Sequence, residues 1–306
     1  MSDADEVLDC VIVGGGPAGL TAAVYLARSR RTLRVVDGGD SRARWIPTSH
    51  NIPGFPEGVT GEALLAKLRA GAARYGAPVL QTLATGLRRE GELFRLDTED
   101  GPVLAHRVIL ACGVEDNEPE APDEAGVFDA VKRGLIRICP ICDGYESSGL
   151  NLGVIGSCDH AAAEALFLRT YTDRITVIVP ESLGRVSDRR RRDLDEAGIA
   201  LVEAQDEALR VHGSDVGCMT VGGQEHRFDV VYAALGSKPK NRLAIAAGAE
   251  LGEDGRLTVS ERCETSVPGL YAAGDLVRGL NQVAVAVGEA AQAATSVHNS
   301  LPRNFA

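Results

Sequence analysis

The sequence predicts an α/β fold of two Rossmann-like nucleotide-binding domains, the second inserted into the first. Three observations carry this. An apolar run near the N-terminus ends in a glycine turn that opens a helix, the same pattern recurs in mid-chain, and a last strand and helix near the C-terminus return to complete the first domain. The chain has 306 residues, about twice the ~150 of a typical domain, which fits two domains. With 44% hydrophobic and 25% charged residues it can bury a sizeable core, which excludes a mainly disordered protein. Thirty-five glycines beside 4% aromatics favour tight turns and close backbone approaches over aromatic stacking.

The elements follow in order. Asp9 to Val13 is an apolar run, followed by Gly14-Gly15-Gly16-Pro17-Ala18-Gly19, after which Leu20 to Arg28 reads as an Ala-rich helix. Gly14 permits the turn, Gly16 lets the backbone reach a pyrophosphate, Gly19 lets helix and strand approach, and the helix N-terminus faces the phosphate charge. A second run, Leu33 to Val36, ends in Asp37, 18 residues beyond Gly19, close to where a carboxylate for ribose hydroxyls is expected. Arg107 to Gly113 reads as a buried strand closing on a glycine, and the charged, Pro-bearing stretch Glu115 to Asp123 as a linker. Leu150 to Ile155, Ala161 to Arg169 and Ile175 to Val179 begin a second strand-helix-strand unit, and Val230 to Leu235 is a further buried strand. The turn-rich passage to about Gly252 is the return linker, Gly269 to Asp275 a short strand, and Val283 to Asn299 a helix of small residues. One domain is therefore expected over 1–117 and 245–306, and the other over 118–244.

A net charge of −11 disfavours nucleic acid or an anionic membrane as partner, leaving small molecules and proteins. The apolar stretches are shorter than the ~20 residues of a membrane span, and no basic segment precedes the first of them. Seven cysteines are far below the density of a disulfide-stapled secreted domain, so a cytoplasmic protein is expected. Cys10, Cys112, Cys218 and Cys263 lie in or beside apolar runs and read as small core residues. The basic run Arg189 to Arg192 is neutralised by Asp188, Asp193, Asp195 and Glu196 and reads as a solvated helix face. Cys139 and Cys142 differ, because a CxxC spacing brings two thiols within disulfide reach, and a thiolate is the nucleophile of exchange. A structural pair or a zinc site is the alternative, although no second CxxC or HxxxH stands nearby to complete four zinc ligands.

This combination resembles the low-molecular-weight thioredoxin reductase family of flavoproteins over nearly the whole chain. Gly14 to Gly19 resembles that family's FAD pyrophosphate turn, and Asn51-Ile52-Pro53-Gly54-Phe55 its flavin-proximal segment. Gly274-Asp275 resembles the pair holding the FAD ribityl-phosphate region, and Cys139-Pro140-Ile141-Cys142-Asp143-Gly144 the redox-active CxxCDG of the central domain. The resemblance implies domains of the three-layer ββα type, FAD as cofactor, a homodimer, and a thioredoxin-like protein or small dithiol as partner. It also implies that Cys142 faces the flavin, Cys139 exchanges with substrate, and Asp143 serves the leaving thiolate as acid and base. An Asp beside a helix start is alternatively a plain cap. Asn281-Gln282-Val283 stands where the family has Arg-Gln-Ala beside the flavin, and His50 where it has Glu, two changes that would retune flavin reactivity. His50 reads either as a proton relay, its ordinary pKa being near neutrality, or as a loop histidine.

The chain departs from the family in the central domain. The expected GxGxxA turn reads Gly156-Ser157-Cys158-Asp159-His160-Ala161, so a side chain occupies the place where a glycine would admit a pyrophosphate. The basic residues expected for a 2′-phosphate are replaced by Pro180-Glu181-Ser182, leaving only Arg185 in register. Glu181 would repel a phosphate, so NADPH is not expected as donor. Glu181 is placed for a ribose 2′-hydroxyl of NADH, but the Cys158 obstruction applies there too. Cys158 itself is either inert or a reactive thiol at a helix start. The expectation is an FAD-dependent disulfide oxidoreductase fed by ferredoxin or another non-nicotinamide donor. A conventional NAD(P)H-dependent thioredoxin reductase, a dithiol oxidase using oxygen, and a flavin redox sensor without turnover are the alternatives.

Overall fold

Continuous apolar runs set the central strands, and glycine turns end them. The structure, a computed structural model, describes residues 7–119 and 124–305; the side chains of 124, 125, 158, 207 and 208 lie outside the described set, as do the end of the expected 115–123 linker and the Cys158 thiol. In chain order the elements are β1 (Val7–Val13), α1 (Pro17–Arg28), β2 (Leu33–Asp37), α2 (Gly61–Arg74), β3 (Val79–Gln81), β4 (Ala84–Glu90), β5 (Leu93–Thr98), β6 (Gly101–Leu110) and β7 (Val114–Asp116). They continue as α3 (Glu124–Lys132), β8 (Ile136–Arg137), α4 (Pro140–Asp143), β9 (Leu152–Gly156), α5 (Cys158–Leu168), β10 (Ile175–Pro180), α6 (Asp188–Ala197), β11 (Ala200–Val211), β12 (Val216–Thr220) and β13 (Glu225–Phe228). The last are β14 (Val230–Ala234), β15 (Ser237–Pro239), α7 (Arg242–Ala246), β16 (Leu270–Ala272) and α8 (Val283–Ser300).

The chain forms two compact units, 7–44 with 61–115 and 238–305, and 45–60 with 116–237. The second unit thus includes 45–60, which the sequence reading leaves in the first domain. In the first unit the sheet runs β3-β2-β1-β6-β5-β4, with β16 also on β6. Its parallel centre registers Ile12 against Val35 on one side and Ile109 on the other. The second unit's sheet runs β13-β12-β11-β10-β9-β14-β8, again with a parallel centre. Each sheet carries an antiparallel meander, β4–β6 in one and β11–β13 in the other. Both match the Rossmann-like, three-layer expectation.

The meanders escape a reading based on continuous apolar runs because they alternate. Along β4 and β5, Leu87, Phe94 and Leu96 point into the core, whereas Arg88, Arg89 and Arg95 take part in the surface pattern. A period of two in a half-buried strand is the signal that would find them. The passage read as a return linker contains α7, whose Leu243 and Ala244 join the core of the first unit. α1 also packs on α8, and Ala22 and Ala23 of the one and Ala290 and Ala293 of the other are fully buried, small side chains that suit a close approach of helices.

Phe94 is completely buried in the first unit's core. Phe94→Ala should lower stability by about 3–5 kcal/mol, measured as a fall in the urea midpoint.

Candidate functional site

The first glycine turn is built by exclusion of side chains. Gly14 has φ +112°, and a Cβ there would lie 2.3 Å from the Ala111 carbonyl oxygen; a Cβ on Gly19 would lie 1.8 Å from the Gly14 carbonyl oxygen. Gly16 is different. A Cβ on it would meet only Ser41 Oγ, at 3.2 Å, so its outer face is open. Gly16 caps α1 without a side-chain bond, Pro17 opens the helix, and its first turn holds no acidic residue. Ala18 closes on Gly274, whose own Cβ would lie 3.1 Å from that of Ala18.

Asp37 ends β2 below this turn. Its Oδ1 accepts from the Gly15 and Gly39 backbone N–H groups at 3.2 and 3.1 Å, and its Oδ2 from Arg69 and Gln81, both at 3.2 Å. Burial alone would raise this carboxyl, but these donors outweigh it and hold Asp37 below the usual carboxylate range. Nearby, Gly274 N donates to Glu289 Oε2 at 2.8 Å and Asp275 pairs with Arg42 at 3.0 Å. Gln282 Nε2 donates to the Asn281 carbonyl at 2.9 Å and Val283 starts α8, while Asn281 Oδ1 is buried without a hydrogen-bond partner. A helix start free of acid, an open glycine face and an orphaned buried acceptor fit a bound dinucleotide.

In the second unit Cys139 and Cys142 are joined as a disulfide across the single turn of α4. The pair left open between redox, structural and zinc readings is therefore bonded sulfur to sulfur. Gly144 is required by proximity, since a Cβ would lie 2.5 Å from the Pro140 carbonyl oxygen and 2.6 Å from the Tyr171 ring. The 45–60 segment packs on the redox turn. Ser49 Oγ donates to Asn51 Oδ1 at 2.8 Å, and Asn51 Nδ2 donates to the Ile141 carbonyl at 3.4 Å. His50 lies in the loop of this segment, its Nδ1 3.2 Å from Glu146 Oε1.

Asp143 closes the turn, and its carboxylate caps no helix. It accepts at Oδ1 from Tyr232 Oη at 2.9 Å, while Arg137 Nε stands 4.0 Å from Oδ2. Burial pushes this carboxyl up to about 6; Arg137 and Tyr232 oppose the rise, Glu146 adds to it, and His50 opposes it weakly. Arg137, Ser147 and Tyr232 escape a motif-based reading. Tyr232 carries a signal, being a phenol inside the wholly apolar strand Val230–Ala234, where a buried hydroxyl needs a partner.

The second glycine turn is as close to its neighbouring strand as the first but differs in charge. A Cβ on Gly156 would lie 2.1 Å from the Ala234 carbonyl oxygen, so this turn is equally tight. The first turn of α5, however, carries Asp159, which accepts from Ser187 N and Ser187 Oγ, both at 2.9 Å. The Ser187 backbone N–H, then its hydroxyl, hold Asp159 below the usual carboxylate range. Glu181 and Arg185 are exposed beyond β10, and Arg189 to Arg192 lie on α6, where Arg190 pairs with Asp193 at 3.3 Å. Cys10, Cys218 and Cys263 are buried and Cys112 half-buried; burial pushes the thiols of Cys112, Cys218 and Cys263 up to about 11.

Known proteins share this arrangement. The sequence profile of the pyridine nucleotide-disulphide oxidoreductases matches residues 8–290. A thioredoxin reductase of Mycolicibacterium smegmatis is 32% identical over 291 residues, covering 90% of this chain and 91% of that one. A solved structure named HlmI superposes with a TM-score of 0.86 at 30% identity, over 96% of this chain and 92% of the other. The thioredoxin reductase from Streptococcus pyogenes MGAS5005 does so with a TM-score of 0.87 at 25% identity, over 97% of this chain and 98% of that one.

The depressed Asp37 stabilises the fold above its ordinary value of 3.8, and that contribution is lost as pH falls through its lower folded value. Asp37→Asn should therefore cost about 1–3 kcal/mol at neutral pH, with the deficit shrinking in acid; urea midpoints at both pH values check this.

Proposed function

The chain belongs to the pyridine nucleotide-disulphide oxidoreductase family, in its low-molecular-weight thioredoxin reductase branch, and from that premise we propose an FAD-dependent disulfide oxidoreductase that does not draw on NADPH. The family assignment makes it a flavin-linked enzyme of disulfide chemistry. The observation that carries the finer reading is the contrast between the two helix starts. α1 presents an open glycine face with no acid in its first turn, whereas α5 presents Asp159, kept ionised by Ser187. An anion is favoured at the first and repelled at the second. Glu181, exposed beyond β10, adds to that repulsion.

In this reading Gly14, Gly16, Pro17, Ala18 and Gly19 hold the FAD pyrophosphate, Asp37 the ribose, and Gly274 and Asp275 the ribityl-phosphate region. His50, Asn51, Asn281, Gln282 and Val283 serve the flavin ring. Bound FAD supplies two-electron chemistry to the Cys139–Cys142 pair. In the reduced enzyme the Cys139 thiolate attacks one sulfur of a substrate disulfide. The substrate S–S bond breaks, and its electron pair leaves on the second sulfur, which takes a proton from Asp143. The Asp143 carboxylate then removes the Cys142 proton, Cys142 attacks Cys139 to reform the disulfide, and the first substrate sulfur departs with that proton. The substrate class is a thioredoxin-like protein or a small disulfide, and the donor is ferredoxin or another non-nicotinamide reductant. A thioredoxin substrate is supported by the relatives' names.

Anaerobic titration of the flavin-loaded protein tests this. Dithiothreitol should bleach the flavin and stoichiometric NADPH should not; rapid bleaching by NADPH would return the protein to the conventional reductases. Cys142→Ser should keep the flavin spectrum and lose thiol-driven bleaching, and unchanged bleaching would remove the pair from the mechanism.

A further inference from the structure

The groups that handle the proton are arranged in one direction. Arg137 has donors only and cannot give up its charge. One of its Nη atoms donates to Ser147 Oγ at 2.8 Å, and to the Asp143 carbonyl at 2.8 Å. Ser147 Oγ and Tyr232 Oη are 2.7 Å apart, and Tyr232 Oη is 2.9 Å from Asp143 Oδ1. Ser147 and Tyr232 are fully buried, so no water competes for these bonds. A hydroxyl has one hydrogen. Tyr232 places it best on the nearest carboxylate oxygen, at 2.9 Å rather than the Asp143 carbonyl at 3.2 Å, which leaves Ser147 to donate to Tyr232. The donors thus run Arg137, Ser147, Tyr232, and end on Oδ1.

We propose that Tyr232 is a positioning residue for the acid–base step, its hydroxyl pinning Oδ1 of Asp143 as a permanent acceptor so that Oδ2 is the oxygen that carries the exchanged proton. Among the described residues Oδ2 has the ion-pair contact with Arg137 Nε at 4.0 Å, beyond hydrogen-bond distance, which leaves its lone pairs to take the proton. In the proton cycle, Oδ2–H is delivered to the departing substrate sulfur, the carboxylate remains held by Tyr232, and Oδ2 then takes the Cys142 proton. The other charged groups facing Asp143 are Glu146, in the turn that follows, and His50, from the 45–60 segment. Those two bond to each other. The inference rests on Asp143 being the acid and base of exchange.

The test is the pH profile of thiol-driven flavin bleaching in the holoenzyme. Wild type should show an inflection near the Asp143 value of about 6. Tyr232→Phe removes only the hydroxyl, so the carboxylate loses a donor and the inflection should move up by about one pH unit, with flavin content and far-UV circular dichroism unchanged. Ser147→Ala leaves Tyr232 bonded to Asp143 but removes the donor behind it, and should move the inflection less, in the same direction. Asp143→Asn should abolish it. If Asp143→Asn keeps the inflection, the acid–base reading itself falls. If Asp143→Asn abolishes it while Tyr232→Phe leaves it in place, Tyr232 is packing alone and the proposal is overturned. Should Tyr232→Phe fail to fold, an unmoved inflection in Ser147→Ala overturns it equally.

Discussion

Two strand-to-helix turns with no room for a Cβ are the constraint on which both units depend. At Gly14 and Gly19 in one, and at Gly156 in the other, an added methyl would fall about 2 Å from a backbone carbonyl oxygen. The close approach lets a parallel sheet, its helix and the next strand share one core, and it points each helix N-terminus into the crevice at the carboxyl ends of the strands. Everything else in each unit is hung on that junction, including the alanine-lined contact of α1 with α8 and the antiparallel meanders.

Around their two turns the units then differ in a few side chains. In the first unit the carboxylate below the turn, Asp37, accepts from the Gly15 and Gly39 N–H groups, Gln81 and Arg69, so its charge is met inside the protein. In the second, Asp159 stands on the helix itself, and Ser187, which also caps α6, holds it there. A single serine thus ties together the starts of two helices and holds a carboxylate in the first turn of one of them.

The redox turn shows a similar division between backbone and side chains. The CxxC spacing and Gly144 are enough to close the disulfide, because both follow from local geometry. What tunes the acid beside it comes from near neighbours in the chain, Arg137 and Glu146, and from distant ones, Tyr232 on β14 and His50. A half-buried carboxyl raised by desolvation, and opposed by a cation and a phenol, is a balance of local and long-range terms.

The amino-acid sequence by itself determined the parallel strands, the glycine turns that end them, the CxxCDG segment and the Pro180-Glu181-Ser182 stretch at the end of β10, because each is written in a run of a few neighbouring residues. It left the meanders hidden behind alternating Leu and Arg, and gave no warning that Asp159 would be fixed by Ser187, 28 residues away. Nor could it place 45–60 with the redox turn, or set His50 beside Glu146, or discard the cap reading of Asp143. Those outcomes were decided only by tertiary structure. Hydrogen bonding and desolvation depend on which groups meet in space, and residues such as Tyr232 and Asp143 are distant in the chain yet 2.9 Å apart in the fold.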